Sequence, residues 1–150
     1  MGWTFSSCTV NDAAALAINN IGAFWGQPYW RQIWPADAQL AYITEQSRKR
    51  MAARVLLQDR DERRHEKAVD EDTGAVVGYA RWLVPPPLRS EWTDGQVPDV
   101  EDNVKKALEE LADTAVWNVG VGTSINTDVL DDKIAATKSR ILAEREFIGT

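Results

Sequence analysis

"EKAVDEDTGAVVGYARWLVP", residues 66–85, is the part of this sequence that commits most clearly to a secondary structure. Two strand-like runs flank "DEDTG" at 70–74, an acidic turn whose glycine takes positive φ without penalty, and this pattern predicts a β-hairpin. Side chains alternate across a strand, so Val77, Tyr79, Arg81 and Leu83 are expected on one face. Val76, Gly78, Ala80, Trp82 and Val84 are expected on the other. "PPP" at 85–87 ends the ladder, because proline donates no hydrogen bond.

Toward the N-terminus, "WTFSSCTV" (3–10) reads as a first strand leading to a helix cap at Asn11 or Asp12. Ala14, Ala17, Ile18, Ile21, Phe24 and Trp25 then recur at helical spacing until Gly26 and Pro28 stop the helix. Asp37 caps a second, long helix, with Leu40, Ile43, Met51 and Val55 on its apolar face and "QSRKR" (46–50) on its solvated one. Beyond the hairpin, residues 85–99 form an irregular connection ending in a cap at Asp99. A helix carrying Val104, Leu108, Leu111 and Ala115 follows, then the turn-rich "WNVGVGTSINTD" (117–128) and a last helix from about Val129 to Arg145. The fold class is α+β: one domain over 1–150, with a mixed or antiparallel sheet of about three strands packed with four helices.

Composition excludes several function classes. The net charge of −6 repels a phosphate backbone, so nucleic acid is not an expected partner. Cys8 is the single cysteine, which rules out an internal disulfide and a cysteine-based zinc site, and no metal is expected. "MGWTFSSCTV" lacks a basic region and an apolar run, and no apolar stretch reaches membrane-spanning length, so the expectation is a cytoplasmic protein with no membrane partner.

Three segments hold candidate chemistry. "AFWGQPYWRQIWP" (23–35) concentrates aromatics around Gly26, Gln27 and Pro28, a composition that suits either a core edge or a pocket-lining loop. "DRDERRHEK" (59–67) holds the only histidine, His65, with neither an HExxH spacing nor a nucleophile partner, and reads as a solvated helix end leading into a strand. "GVG" (120–122) is too short to cradle a phosphate and reads as a turn.

The order strand, helix, aromatic loop, helix, hairpin and helix, with "INNIGAFWGQPYWRQIWP" and "GAVVGYARWLVPPP", resembles the N-terminal half of the GNAT superfamily of N-acetyltransferases, in particular its small fungal members. The resemblance implies transfer of an acetyl group from acetyl-CoA to an amine, with a general base removing the amine proton. It places Trp25, Tyr29, Trp30 and Trp34 around the acceptor pocket, and leaves Glu144 and Glu146 as the only carboxylates near the start of a fourth strand. The family's Gln/Arg-x-x-Gly-x-Gly/Ala turn, which holds the pyrophosphate at a helix N-terminus, does not occur in these residues. The resemblance therefore implies a chain that stops before its fourth strand, carries the acceptor side, is inactive alone and binds acetyl-CoA weakly or not at all. It also implies an open sheet edge at Val77, Tyr79 and Leu83, through which a homo-oligomer would form. Two other readings compete: a non-catalytic module binding a small molecule or protein through the aromatic loop 24–34, and an unrelated α/β domain whose aromatics are core.

Overall fold

The computed structural model describes residues 2–116 and 139–140. Its sheet is antiparallel, with β1 (Trp3–Ser7), β2 (Arg63–Asp70) and β3 (Val76–Leu83) lying in sequence order. Between β1 and β2 run α1 (Ala13–Trp25), α2 (Pro28–Arg31), α3 (Leu40–Arg50) and a π-helical stretch, Met51–Leu57; α4 (Asp102–Asp113) follows the sheet. The α+β class and the three strands are as the sequence implies. The four α-helices of the described residues are not the expected four, because α2 interrupts the aromatic segment and the expected helix 129–145 lies outside the described residues except at 139–140, which are helical.

The hairpin forms where its turn chemistry requires. Asp70 Oδ1 accepts bonds from the Asp72 and Thr73 amides at 3.1 and 2.8 Å, and Gly74 has φ of 71°. One feature changes the alternation: Val69 pairs with Val76 while Ala68 pairs with Gly78, so Val77 is an extra, bulged residue. Val76 thus joins Tyr79 against the core, and Val77 is left exposed rather than sharing the Tyr79 face.

Two apolar clusters carry the packing. Cys8, Leu16, Ala17, Met51, Leu56 and Val97 are buried between the helices and the inner sheet face, with Tyr79 packed against them. Ile21, Ile33, Trp34, Ala38 and Ile43 fill the corner where α1, α2 and α3 meet. Several boundaries move from their expected places. A short 3-10 turn, Val10–Asp12, precedes α1, and Asp12 Oδ2 accepts the Thr9 amide at 2.7 Å. The residue before α3 is Gln39 rather than Asp37, and the one before α4 is Glu101 rather than Asp99. "QSRKR" is not wholly solvated: Gln46 and Ser47 are buried, and Gln46 Oε1 accepts the Val116 amide at 2.9 Å. On α4 the expected apolar face stays largely outside, with Val104 and Leu111 exposed and Ala112 buried instead. Among the described residues no helix is long and apolar enough to cross a membrane.

Candidate functional site

The aromatic segment resolves mainly into core. Trp34 is 6% exposed, and Trp25 and Trp30 pack half-buried against the same cluster, leaving Tyr29, at 54%, as the one open ring of the four. Trp30 meets Trp34 edge-on at 6.2 Å, and the Arg31 guanidinium sits 4.5 Å over the Trp25 ring. Glycine and proline here set a helix start, not a pocket-lining loop, since Pro28 takes the first position of α2. Three of the four expected pocket residues, Trp25, Trp30 and Trp34, are therefore brought together as a packed corner, while Tyr29 stays exposed. Glu144 and Glu146, the candidate bases, lie outside the described residues.

An open cavity occurs instead on the outer face of the sheet. It has a volume of about 380 Å³, and its lining includes Phe5, Glu66, Ala68, Gly78, Ala80 and Trp82. The register explains the composition: Phe5, Ala68 and Gly78 form one row across the three strands, and Ser7, Glu66 and Ala80 the next. Ala68, Gly78 and Ala80 make a low floor between larger side chains on either side. A Cβ on Gly78 would come to 3.2 Å of the Ala68 Cβ, so the floor is already close-packed at that point. Phe5 rises on the β1 side with 75% of its surface exposed, and Trp3, further along that strand, is 60% exposed. At the other end Trp82 leans on Trp92, ring centres 6.2 Å apart.

One carboxylate enters this apolar groove. The Trp82 indole donates to Glu66 Oε2 at 2.8 Å, which fixes the carboxylate beside the ring. Among the described residues Glu66 forms no ion pair, and this is the single hydrogen bond of its side chain. Its neighbour on the inner face behaves differently: Lys67 is held by Asp12. Burial works to raise the Asp12 carboxyl, but the bonds from Lys67 and Thr9 outweigh it and hold it below its ordinary value.

The end of the groove is held by a buried arginine. Arg64 is fully buried, and its guanidinium donates to the carbonyls of Arg60, Asp61, Arg63, Arg89 and Trp92. Carbonyl dipoles, not a carboxylate, neutralise it, and they tie the 89–92 connection to β2. Gly95 completes the closure: its carbonyl accepts the His65 amide at 2.6 Å, its amide bonds Ser7 Oγ at 3.0 Å, and its φ of 77° favours glycine.

His65 corrects the solvated reading of "DRDERRHEK". It lies inside β2, fully buried, with Nδ1 2.8 Å from the Tyr79 hydroxyl. Burial, with Arg81 and Arg63 adding repulsion, brings its pKa down to about 4. Burial likewise pushes the Tyr79 hydroxyl and the Cys8 thiol up to about 12 each, so all three are neutral near pH 7. Tyr79 thus points inward and is not part of an outward edge surface.

A second cavity, of about 530 Å³, lies between the π-helical stretch, the 59–62 turn and α4. Its charges satisfy one another: Arg54 pairs with Glu109 at 2.6 Å and Lys105 with Asp99 at 3.0 Å. None of Trp25, Tyr29, Trp30 and Trp34 lines either cavity. No group of three or more metal-ligating side chains occurs among the described residues. Reading the chain by segments missed Phe5, Glu66 and Trp82 as a unit. The turn at 70–74 alone would set Glu66 opposite Tyr79; the bulge at Val77 shifts it opposite Ala80 and diagonal to Trp82, so this grouping follows from the bulge and not from the turn.

No family model, curated protein or solved structure matches the chain.

Proposed function

We propose that this chain is the acceptor-side part of a GNAT-like N-acetyltransferase. The observation that supports the reading is topological: three antiparallel strands in sequence order, with the helices inserted between the first and second and the outer side of β3 unpaired among the described residues. Such an edge presents a row of backbone donors and acceptors ready for a fourth strand. In the absence of one, the same edge would pair with a second copy at Val77 and Leu83.

The test is complementation of the full chain. A segment supplying a fourth strand and a phosphate-binding turn from a GNAT enzyme is added, and thiol release from acetyl-CoA is followed with a panel of amines. Release that needs both parts, and that Val77→Lys on the β3 edge suppresses, is the expected result. Absence of co-sedimentation together with absence of thiol release would overturn the reading. The chain alone is expected to bind acetyl-CoA more weakly than about tens of micromolar, since its sequence carries no Gln/Arg-x-x-Gly-x-Gly/Ala turn to offer a row of amides to a pyrophosphate. Tighter binding by calorimetry would put the cofactor site elsewhere.

A second reading, a small-molecule-binding module that performs no chemistry, is favoured by the groove. Its apolar floor, aromatic side walls and single oriented carboxylate form a concave site that needs no further strand.

A further inference from the structure

From the composition of the outer sheet groove we infer that it binds a small organic monocation, a ligand with an apolar body and one ammonium group. The inference deepens the binding-module reading and requires no acyl transfer. Three observations carry it. The groove is walled by Phe5 and Trp82 and floored by Ala68, Gly78 and Ala80, so most of a bound ligand would meet carbon. Glu66 brings one negative charge into these surroundings and forms no ion pair among the described residues, since Lys67, which also lines the groove, has its ammonium held by Asp12. The Trp82 indole occupies Oε2, which holds the carboxylate in one orientation and leaves Oε1 without a hydrogen bond among the described residues.

Charge complementarity selects the occupant. A neutral apolar ligand would fill the floor but leave Glu66 Oε1 without a partner. An anion would meet the carboxylate directly. A cation satisfies both features: its ammonium donates to Glu66, and the same charge is attracted to the face of an adjacent aromatic ring. The volume of about 380 Å³ lies at the small end of ligand sites and suits a single ring with a short chain. One end of the groove is closed by the connection that Arg64 fastens, with Trp92 against Trp82, while Phe5 on the β1 side remains open to solvent.

The test uses the full chain and three probes of matched shape: 2-phenylethylammonium, the neutral 2-phenylethanol and the anionic phenylacetate. Binding is followed by two-dimensional NMR on the Trp82 indole N–H, which reports directly on the bond to Glu66. A charge-assisted hydrogen bond predicts that the ammonium binds about tenfold or more tightly than the alcohol, with the anion weakest. In Glu66→Gln the amide oxygen can still accept from Trp82, and the preference for the cation over the alcohol is expected to fall to about threefold or less. Ala80→Leu fills the floor and is expected to abolish binding of all three. Equal binding of ammonium and alcohol by the wild-type chain would overturn the inference while leaving a binding module intact. Failure of every probe would overturn both. The wild-type comparison needs no variant, so it decides the question even if Glu66→Gln does not fold.

Discussion

Lowering the pH from about 7.5 to about 4.5 protonates His65 freely in the unfolded chain and only against resistance in the folded one. The imidazole is fully buried, bonded to Tyr79 and faced by the charges of Arg81 and Arg63, which brings its pKa from 6.5 down to about 4. A depressed histidine costs nothing above its unfolded pKa, where both states are neutral. Between 6.5 and about 4 the unfolded state binds the proton first, so stability falls as the pH falls. Each pH unit in that window removes up to about 1.4 kcal/mol, and the whole interval removes about 3 kcal/mol. For a domain of this size that corresponds to a drop in melting temperature of roughly 6–12 °C. The upper part of the window is well isolated, because His65 is the only histidine and the lowered carboxylates of Asp12, Asp70 and Asp99 begin to cost stability only below about pH 5, with most of that loss below 3.8. Urea unfolding across this range, compared with His65→Asn, is the measurement. The variant is expected to be less stable throughout but nearly flat with pH. A wild-type curve that is flat between pH 7 and pH 4.5, or a slope that survives in His65→Asn, would refute a buried, neutral histidine.

Two further outcomes follow from the packing. Trp34→Ala is expected to cost about 3–5 kcal/mol by urea unfolding, because Trp34 is 6% exposed in the corner of three helices, whereas half-buried Trp30→Ala costs clearly less. Similar large losses at both positions would mean that Trp30 is as much a part of the core. Gly95→Ala is expected to cost more than about 1 kcal/mol, since its φ is 77° and the new Cβ would lie 3.1 Å from the Arg64 Cβ. Circular dichroism melts check it, and an unchanged melting temperature would contradict the closure of the groove end.

The sequence was legible where structure depends on neighbours. "DEDTG" and Gly74 specify their turn locally, and the spacing from Ala14 to Trp25 specifies α1, so both formed as expected. It was illegible where a residue's partner is backbone from a distant segment. Arg64 reads as one more charge in "DRDERRHEK", and nothing about the residue type reveals that the carbonyls of Arg89 and Trp92 will receive it. His65 fails for the same reason, its partner Tyr79 being identified only once the register is known. The bulge at Val77 has no marker of its own, because valine fits a regular strand equally well. The sequence draws an acceptor pocket to "AFWGQPYWRQIWP" because tryptophan attracts attention by count. The groove is made instead by what alanine and glycine leave out at 68, 78 and 80.

The guanidinium of Arg64 reaches carbonyls of two segments, at residues 60, 61 and 63 and again at 89 and 92 in the connection that follows the hairpin. A segment that looks from its sequence like a free surface link is therefore cross-braced to the central strand. Opening it means stripping a buried cation of its oxygen shell, so the connection and β2 should unfold together as one cooperative unit. In hydrogen exchange, the amides of Trp92 and Gln96 would then share the protection of the His65 amide rather than exchanging at the rate of an ordinary loop.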